Sequence, residues 1–321
     1  MFLSLTLCAL LIEATFSYPD AIFRRIGHPV TWIGRLITTL DYHLNREGSV
    51  RKQRGRGLVA LGVIVILPVG LTLAGQTLMR LCLPHWIQFA LEALCASTLI
   101  AQRSLFDHVN AVLKGLRENG LAGGRLAVSR IVGRDPETLE TAGVVRAAIE
   151  SLAENFSDGV VAPLFWLTVF GLPGAVAYKA INTADSMIGH LSPRHRDFGR
   201  AAALCDDCVN IPASRLSALW LCLAAPFAGG SLRRAIRTVR HDAGRHRSPN
   251  AGWPEAAMAG ALTLRLAGPR QYNGVLVADS WMGNGREEAE EQDLARALTL
   301  YRVACLVQAV CLLILLYGVN A

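Results

Sequence analysis

The chain has 321 residues, with 32 Lys and Arg against 25 Asp and Glu for a net charge of +7, and 52% of positions are hydrophobic while only 18% are charged. Its mean hydropathy is +0.34, and soluble domains carry about 25% charged residues, so an ordinary cytosolic globule and a disordered chain are both excluded and a membrane protein is the first inference. Eight Cys scattered over this length argue against a disulfide framework, and no internal repeat or low-complexity tract is visible.

Crossing about 30 Å of hydrocarbon takes roughly 20 apolar residues in a helix. In chain order, Phe2 to Phe16, Leu58 to Met79 and Leu83 to Ile100 come close to that length. The first lacks a basic leader and a small-x-small cleavage site before Tyr18 and Pro19, so it reads as a retained helix and not a signal peptide. In the middle third the apolar runs shorten. Val160 to Phe170, the turn signal Gly171-Leu-Pro-Gly174, and Ala175 to Ile188 with Lys179, Asn182 and Asp185 read as a re-entrant hairpin. Leu204 to Phe227 repeats the pattern, with Asp206, Asp207 and Asn210 ahead of an expected break at Pro212, and Tyr301 to Val319 is a last span. Broken helices at membrane depth are tolerated only where they line protein or a wet cavity. The expected fold is therefore all-α: one domain over 1–321, a polytopic integral membrane helical bundle with broken and re-entrant helices around a polar, cytoplasm-facing cavity.

Basic loops mark the cytoplasmic side. Arg46 to Arg56 holds five basic residues and Arg233 to Arg247 six arginines, which predicts a multi-pass protein of the cell (inner) membrane whose active site faces the cytoplasm. The same arginines have a plainer role, fixing topology and touching anionic lipid.

Glu150, Glu154 and Asp158 follow at steps of four, one stripe of a helix. Hard oxygen ligands in such a stripe suit Mg²⁺ or a Mg-nucleotide; a solvated acidic face with Arg146 as partner is the competing reading. Position favours the first, because the stripe runs straight into Val160 to Phe170. Lys179, Asn182 and Ser186 share a helical face, with Asp185 three beyond Asn182, and Asp206, Asp207, Asn210 and Arg215 form a second polar group. Charges in apolar surroundings default to function, although Lys179 and Arg215 pairing with these aspartates would also hold a bundle together. Cys205 and Cys208 make a CxxC without a second pair or a nearby His cluster, read as small buried thiols. His28 and the Trp residues of His28-Pro-Val-Thr-Trp-Ile-Gly-Arg35 and Ser248-Pro-Asn-Ala-Gly-Trp-Pro-Glu255 read as structural anchors at the headgroup level. Walker, GxSxG and HExxH patterns are absent.

Those two motifs, with Ala127-Val-Ser-Arg-Ile-Val-Gly-Arg-Asp135, the run from Ala148 through Glu-Asn-Phe-Ser-Asp-Gly to Trp166, Tyr178 to Met187, and Asp-Asp-x-x-Asn-x-Pro-x-x-Arg-Leu at 206–216, resemble the adenosylcobinamide-phosphate synthase family of cobalamin biosynthesis. The likeness covers about residues 20–285. Departures are Phe156 where a small hydroxyl residue is expected, His190 where an aromatic is usual, and Glu13 where Asp is usual. The resemblance implies a carbon-nitrogen ligase that joins the propionate carboxylate of adenosylcobyric acid to (R)-1-amino-2-propanol or its O-phosphate. It implies membrane lipid as surroundings, other membrane-bound enzymes of the pathway as partners, and no nucleic acid.

A carboxylate and an amine at neutral pH form an ion pair, so the carboxylate must be activated, and ATP with Mg²⁺ is the expected cofactor set. Glu154, Asp158, Asp185, Asp206 and Asp207 are the expected metal ligands, with Lys179, Asp185, Glu154 and Asp158 catalytic. Asn155, Asn182, Asn210, Arg215, Arg130 and Arg134 are expected to bind substrate. The alternative is a membrane transporter or binding protein for a corrinoid or other anion, although no half-repeat is visible.

Overall fold

The computed structural model describes the backbone of residues 2–16, 18, 24–132, 136–272, 275–277 and 279–320, and the side chains of all of these except 270–272, 275–277 and 320. The described residues are almost entirely helical. Four helical stretches, Val50–Cys82, Thr141–Ile188, Arg200–Ala228 and Glu291–Val319, are long and apolar enough to cross a membrane, which agrees with the all-α membrane class read from composition. The chain divides into two compact units, one of residues 1–101, 162–210 and 319–321, the other of 102–161 and 211–318.

The first unit opens with α1 (Leu3–Thr15). The Phe2 N–H donates to the Thr168 carbonyl at 2.9 Å, and the Thr168 hydroxyl donates to that of Thr6 at 3.1 Å. α2 (Pro29–Leu44) starts on a reciprocal cap: the Val30 N–H donates to His28 Nδ1 at 3.3 Å and the His28 N–H to Thr31 Oγ1 at 3.1 Å, with Pro29 at the first position. α3 (Val50–Cys82) is the long span, and α4 (His85–Ser97) packs on α1. Both α1 and α4 have 13 residues, about 20 Å of helix, so the expected spans Phe2 to Phe16 and Leu83 to Ile100 form helices too short to cross alone. α2, α3 and the later part of the unit meet in a core of Ile37, Ala60, Ile64, Ala184 and Phe198.

α5 (Gln102–Val128) and α6 (Thr141–Phe156), followed by a π-helical turn Ser157–Val161, belong to the second unit; α7 (Ala162–Ile188) belongs to the first. The predicted reversal at Gly171-Leu-Pro-Gly174 is present in α7. Gly171 adopts φ 67°, ψ −162°, a conformation essentially confined to glycine, and a Cβ on Gly174 would lie 2.6 Å from the Trp166 carbonyl oxygen. In a straight helix eight residues span about 12 Å, so the two arms fold back on each other. The loop after α7 is tied to α2 by Asp41, which accepts from Arg194 Nη2 at 2.7 Å, lies 3.2 Å from His195 Nε2 and accepts from Asn45 at 2.8 Å.

α5 contains the same device, unanticipated from the sequence. Gly120 has φ 59°, ψ −153°, and Gly120-Leu-Ala-Gly123 repeats the Gly-Leu-x-Gly pattern. A Cβ on Gly115 would sit 2.6 Å from the Gly123 carbonyl oxygen, so these arms also close on small residues. α6 packs on α5, and Phe156 is fully buried with its ring edge-on to Tyr301 at 5.4 Å.

α8 (Arg200–Ala224) carries Pro212 inside it, and the expected break there does not occur. Pro212 removes the ladder bond to the Cys208 carbonyl, and at the neighbouring position Trp166 Nε1 donates to the Val209 carbonyl at 3.1 Å. In the second unit a 3₁₀ turn Ala225–Ala228 leads to α9 (Leu232–Asp242), a 3₁₀ turn Ala243–Arg245 and α10 (Gly252–Leu262). α10 is apolar except for Glu255, and every residue of it but the half-buried Trp253 is buried. Its Gly260 lets α9 approach, since a Cβ there would be 2.8 Å from the Ala235 Cα. Then β1 (Leu266–Ala267), β2 (Arg270–Tyr272), β3 (Val275–Val277) and β4 (Trp281–Met282) pair antiparallel as β1 with β4 and β2 with β3. The first turn of α11 (Glu291–Asn320) is held by Asp293, whose Oδ2 accepts the Glu290 N–H at 2.8 Å and Arg286 Nη2 at 2.6 Å.

Candidate functional site

In the first unit, α7 and α8 build a polar group inside apolar helices. Asp206, 8% exposed, accepts from Asn182 Nδ2 at Oδ1 (3.2 Å) and from Asn210 Nδ2 at Oδ2 (2.9 Å). Asn210, 1% exposed, accepts the Tyr178 hydroxyl at 2.9 Å. The carboxylates of Asp185 and Asp207 lie near enough to repel that of Asp206, and each other. Helix periodicity explains the grouping: Tyr178, Asn182 and Asp185 fall on one stripe of α7, and Asp206 and Asn210 on one stripe of α8. Gly189 makes room for it, because a Cβ there would collide with Asp185 Oδ1. Lys179 is half-buried on the same arm, and its charge, after burial, holds the His28 pKa below the ordinary histidine value. The shift favours the neutral form, whose Nδ1 can accept the Val30 N–H at the helix cap. Ser186, expected on this face, spends its hydroxyl on the Asn182 carbonyl at 2.9 Å.

In the second unit Arg215 is half-buried. Its Nη1 donates to Asn250 Oδ1 and to Ser214 Oγ, each at 2.9 Å, and its guanidinium carbon stands 4.5 Å over the Trp253 ring. The Ser248-Pro-Asn-Ala-Gly-Trp-Pro-Glu255 motif thus supports Arg215 through Asn250 and Trp253. That motif is itself pinned, as His246 Nδ1 accepts the Ser248 N–H at 3.0 Å.

The acidic stripe comes apart. Glu150 is 6% exposed and accepts the Ala267 N–H at 2.8 Å, where Ala267 holds a left-handed φ of 58°. Glu154 is exposed, and Asp158 is half-buried in the π turn, whose wider turn rotates it away from the four-residue register; such turns recur at functional sites. Asn155 is exposed and donates to its own helix at the Ser151 carbonyl, 2.9 Å. Arg130 is exposed, and Arg134 lies outside the described residues. Phe156, the departure from the expected hydroxyl, belongs to the unit core. Cys205 and Cys208 carry free thiols, Cys208 exposed rather than buried as expected. Among the described residues, no three His, Cys, Asp or Glu side chains are grouped as a cage for a metal ion. The sequence reading missed Tyr178, Gly189, Asn250 and Trp253; all but Gly189 lie inside motifs already quoted, but their partners are 32 or more positions away or, for Trp253, on another helix.

A family model, CobD/Cbib protein, matches residues 6–301. The chain is 50% identical over 302 residues to Cobalamin biosynthesis protein CobD of Rhizobium meliloti (strain 1021), covering 92% of this chain and 91% of that protein. It is 49% identical over 304 residues to the protein of the same description from Rhodobacter capsulatus, covering 94% of each, and 47% identical over 301 residues to that of Brucella suis biovar 1 (strain 1330), covering 91% and 90%. No solved structure matches. A family match over residues 6–301, with identity near one half over more than nine-tenths of the chain, places the chain in the CobD/Cbib protein family.

Proposed function

We propose that this chain acts in cobalamin biosynthesis as an adenosylcobinamide-phosphate synthase, an amide-forming ligase of the cell (inner) membrane with its site open to the cytoplasm. It joins the propionate carboxylate of adenosylcobyric acid to (R)-1-amino-2-propanol or its O-phosphate. The observation that carries this reading is Asp206, held by Asn182 and Asn210 with Asp185 and Asp207 around it. Such a concentration of charge in apolar helices is costly to keep and marks function.

ATP, as co-substrate, would transfer its terminal phosphoryl group to a carboxylate oxygen with ADP leaving; the amine nitrogen would then attack the acyl carbon, the C–O bond would break with that oxygen leaving as part of phosphate, and the nitrogen would give up a proton. The donor set suits Mg²⁺: hard oxygens in mutual repulsion, too few for a closed protein cage, as expected where one or two carboxylates and substrate phosphate share the ion. One or two of Asp185, Asp206 and Asp207 are the groups that would hold it. Bound there, the ion would neutralise charge on phosphate oxygens. Asn182 and Asn210 set the orientation of Asp206. Lys179 neutralises transferred phosphate. Arg215, stacked and hydrogen-bonded on one side, offers its remaining N–H fork to substrate phosphate.

Purified protein supplied with adenosylcobyric acid, aminopropanol or its phosphate, ATP and Mg²⁺ is expected to yield a product of amide mass. If proteoliposomes instead take up the corrinoid and no amide forms, the ligase reading fails and a transporter replaces it.

A further inference from the structure

α9 begins four residues after the end of the candidate span Arg200–Ala228. Four residues of chain reach at most about 14 Å, which holds Leu232 at the headgroup level once the span is in the bilayer. Its inner face, Ala235 and Thr238, is buried against α10, and Arg234 is bonded to Thr263. The outer face presents Arg233, Arg237 and Arg240, all exposed, on either side of Ile236, 36% exposed, and together with Leu232 these residues line a shallow surface groove. His241 and Arg245 are drawn to Asp242, whereas Arg233, Arg237 and Arg240 pair with no carboxylate among the described residues. Phe227, at the end of the preceding span, is 74% exposed.

We propose that this face of α9 is a docking surface for the anionic phosphate headgroups of the surrounding bilayer. It goes beyond the ligase reading and does not depend on it. Three unpaired guanidinium groups match phosphate in charge and hydrogen-bond geometry, while Ile236 and Leu232 between them suit the apolar edge of the headgroup layer, as in helices that lie in the interface. Arginine stems reach along that apolar edge while their heads stay with phosphate. Each basic residue near an anionic surface contributes about fivefold in affinity, so the three together supply on the order of a hundredfold.

The test uses full-length protein in a neutral detergent, titrated separately with phosphatidylglycerol and phosphatidylcholine, with retained lipid counted by native mass spectrometry. The wild-type protein is expected to retain phosphatidylglycerol preferentially. The exposed triple variant Arg233→Gln, Arg237→Gln, Arg240→Gln is expected to lose on the order of a hundredfold of that preference with an unchanged thermal midpoint. Equal retention of the two lipids overturns the proposal, as does a preference unchanged in the variant. Displacement of the bound lipid by millimolar inorganic phosphate overturns it too, since the face would then be a site for a soluble anion.

Discussion

Asn210 donates to Asp206 across one turn of α8, Nδ2 to Oδ2 at 2.9 Å, in a place where Asn210 is 1% exposed. Its Oδ1 takes the Tyr178 hydroxyl from α7, so one amide links two helices and orients a carboxylate. Asn210→Leu takes a hydrogen bond from both neighbours, at about 1–3 kcal/mol for each buried polar atom left unsatisfied. Tyr178→Phe removes a single neutral bond, about 1 kcal/mol. Chemical denaturation in detergent should rank Asn210→Leu well below Tyr178→Phe; equal midpoints would contradict the network.

Gly189 is a steric probe of Asp185. Alanine at that position pushes directly on Asp185 Oδ1, and displacing a reacting group by about 1 Å can cost on the order of 100-fold. Gly189→Ala is therefore expected to lower amide formation strongly, and Asp185→Asn to abolish it, both with normal membrane insertion. Turnover near wild type in both variants would remove Asp185 from the chemistry.

Arg215 combines a stack on Trp253 with a hydrogen bond to Asn250, which lysine cannot reproduce. Arg215→Lys should raise KM for the phosphorylated amine more than for the unphosphorylated one. Trp253→Leu should do so less, since a cation–π contact is worth about 0.5–2 kcal/mol. Steady-state kinetics with the two amines separate the outcomes; parallel changes for both would argue for a purely structural arginine.

The glycine reversals differ from glycine in a plain helix. Gly171→Ala meets a backbone conformation costing about 1–3 kcal/mol for any other residue, and Gly120→Ala the same. Gly70 in α3 has open space around it, and Gly70→Ala should stabilise by about 0.5–1 kcal/mol. Thermal midpoints in a common detergent test the contrast in sign.

Asp41 carries a pH dependence. Burial pushes its carboxyl pKa up, but hydrogen bonds from Asn45, Arg194 and His195 outweigh it and hold the pKa below the ordinary value. The ionised form is thus favoured on folding. Its contribution is complete above the unfolded value of about 3.9 and is lost as pH falls through the lower folded value. Asp41→Asn is expected to flatten the acid limb of the stability profile below about pH 4, measured as thermal midpoint against pH, and to leave the neutral region lower but level.

The reversal at Gly171 was legible because turn residues interrupt an apolar run. The one at Gly120 lies in a basic, amphipathic segment with no long apolar run to interrupt, and its arms close on Gly115 and Gly123. Pro212 misled in the opposite direction. A proline removes one ladder bond without having to end the helix, and neighbouring α7 supplies Trp166 to the adjacent Val209 carbonyl. The acidic stripe failed for a similar reason, since a backbone amide 117 positions away claims Glu150.

Composition and periodicity, which are local properties of the chain, were enough to establish an all-α membrane protein, the glycine turn of α7 and, through ordered motifs, the family. Which polar residues share a neighbourhood was decided by packing alone. The partners of Asp206, Asn210 and Arg215 stand 24, 32 and 35 positions away, and contacts at such separations depend on how helices cross, which no window of sequence contains.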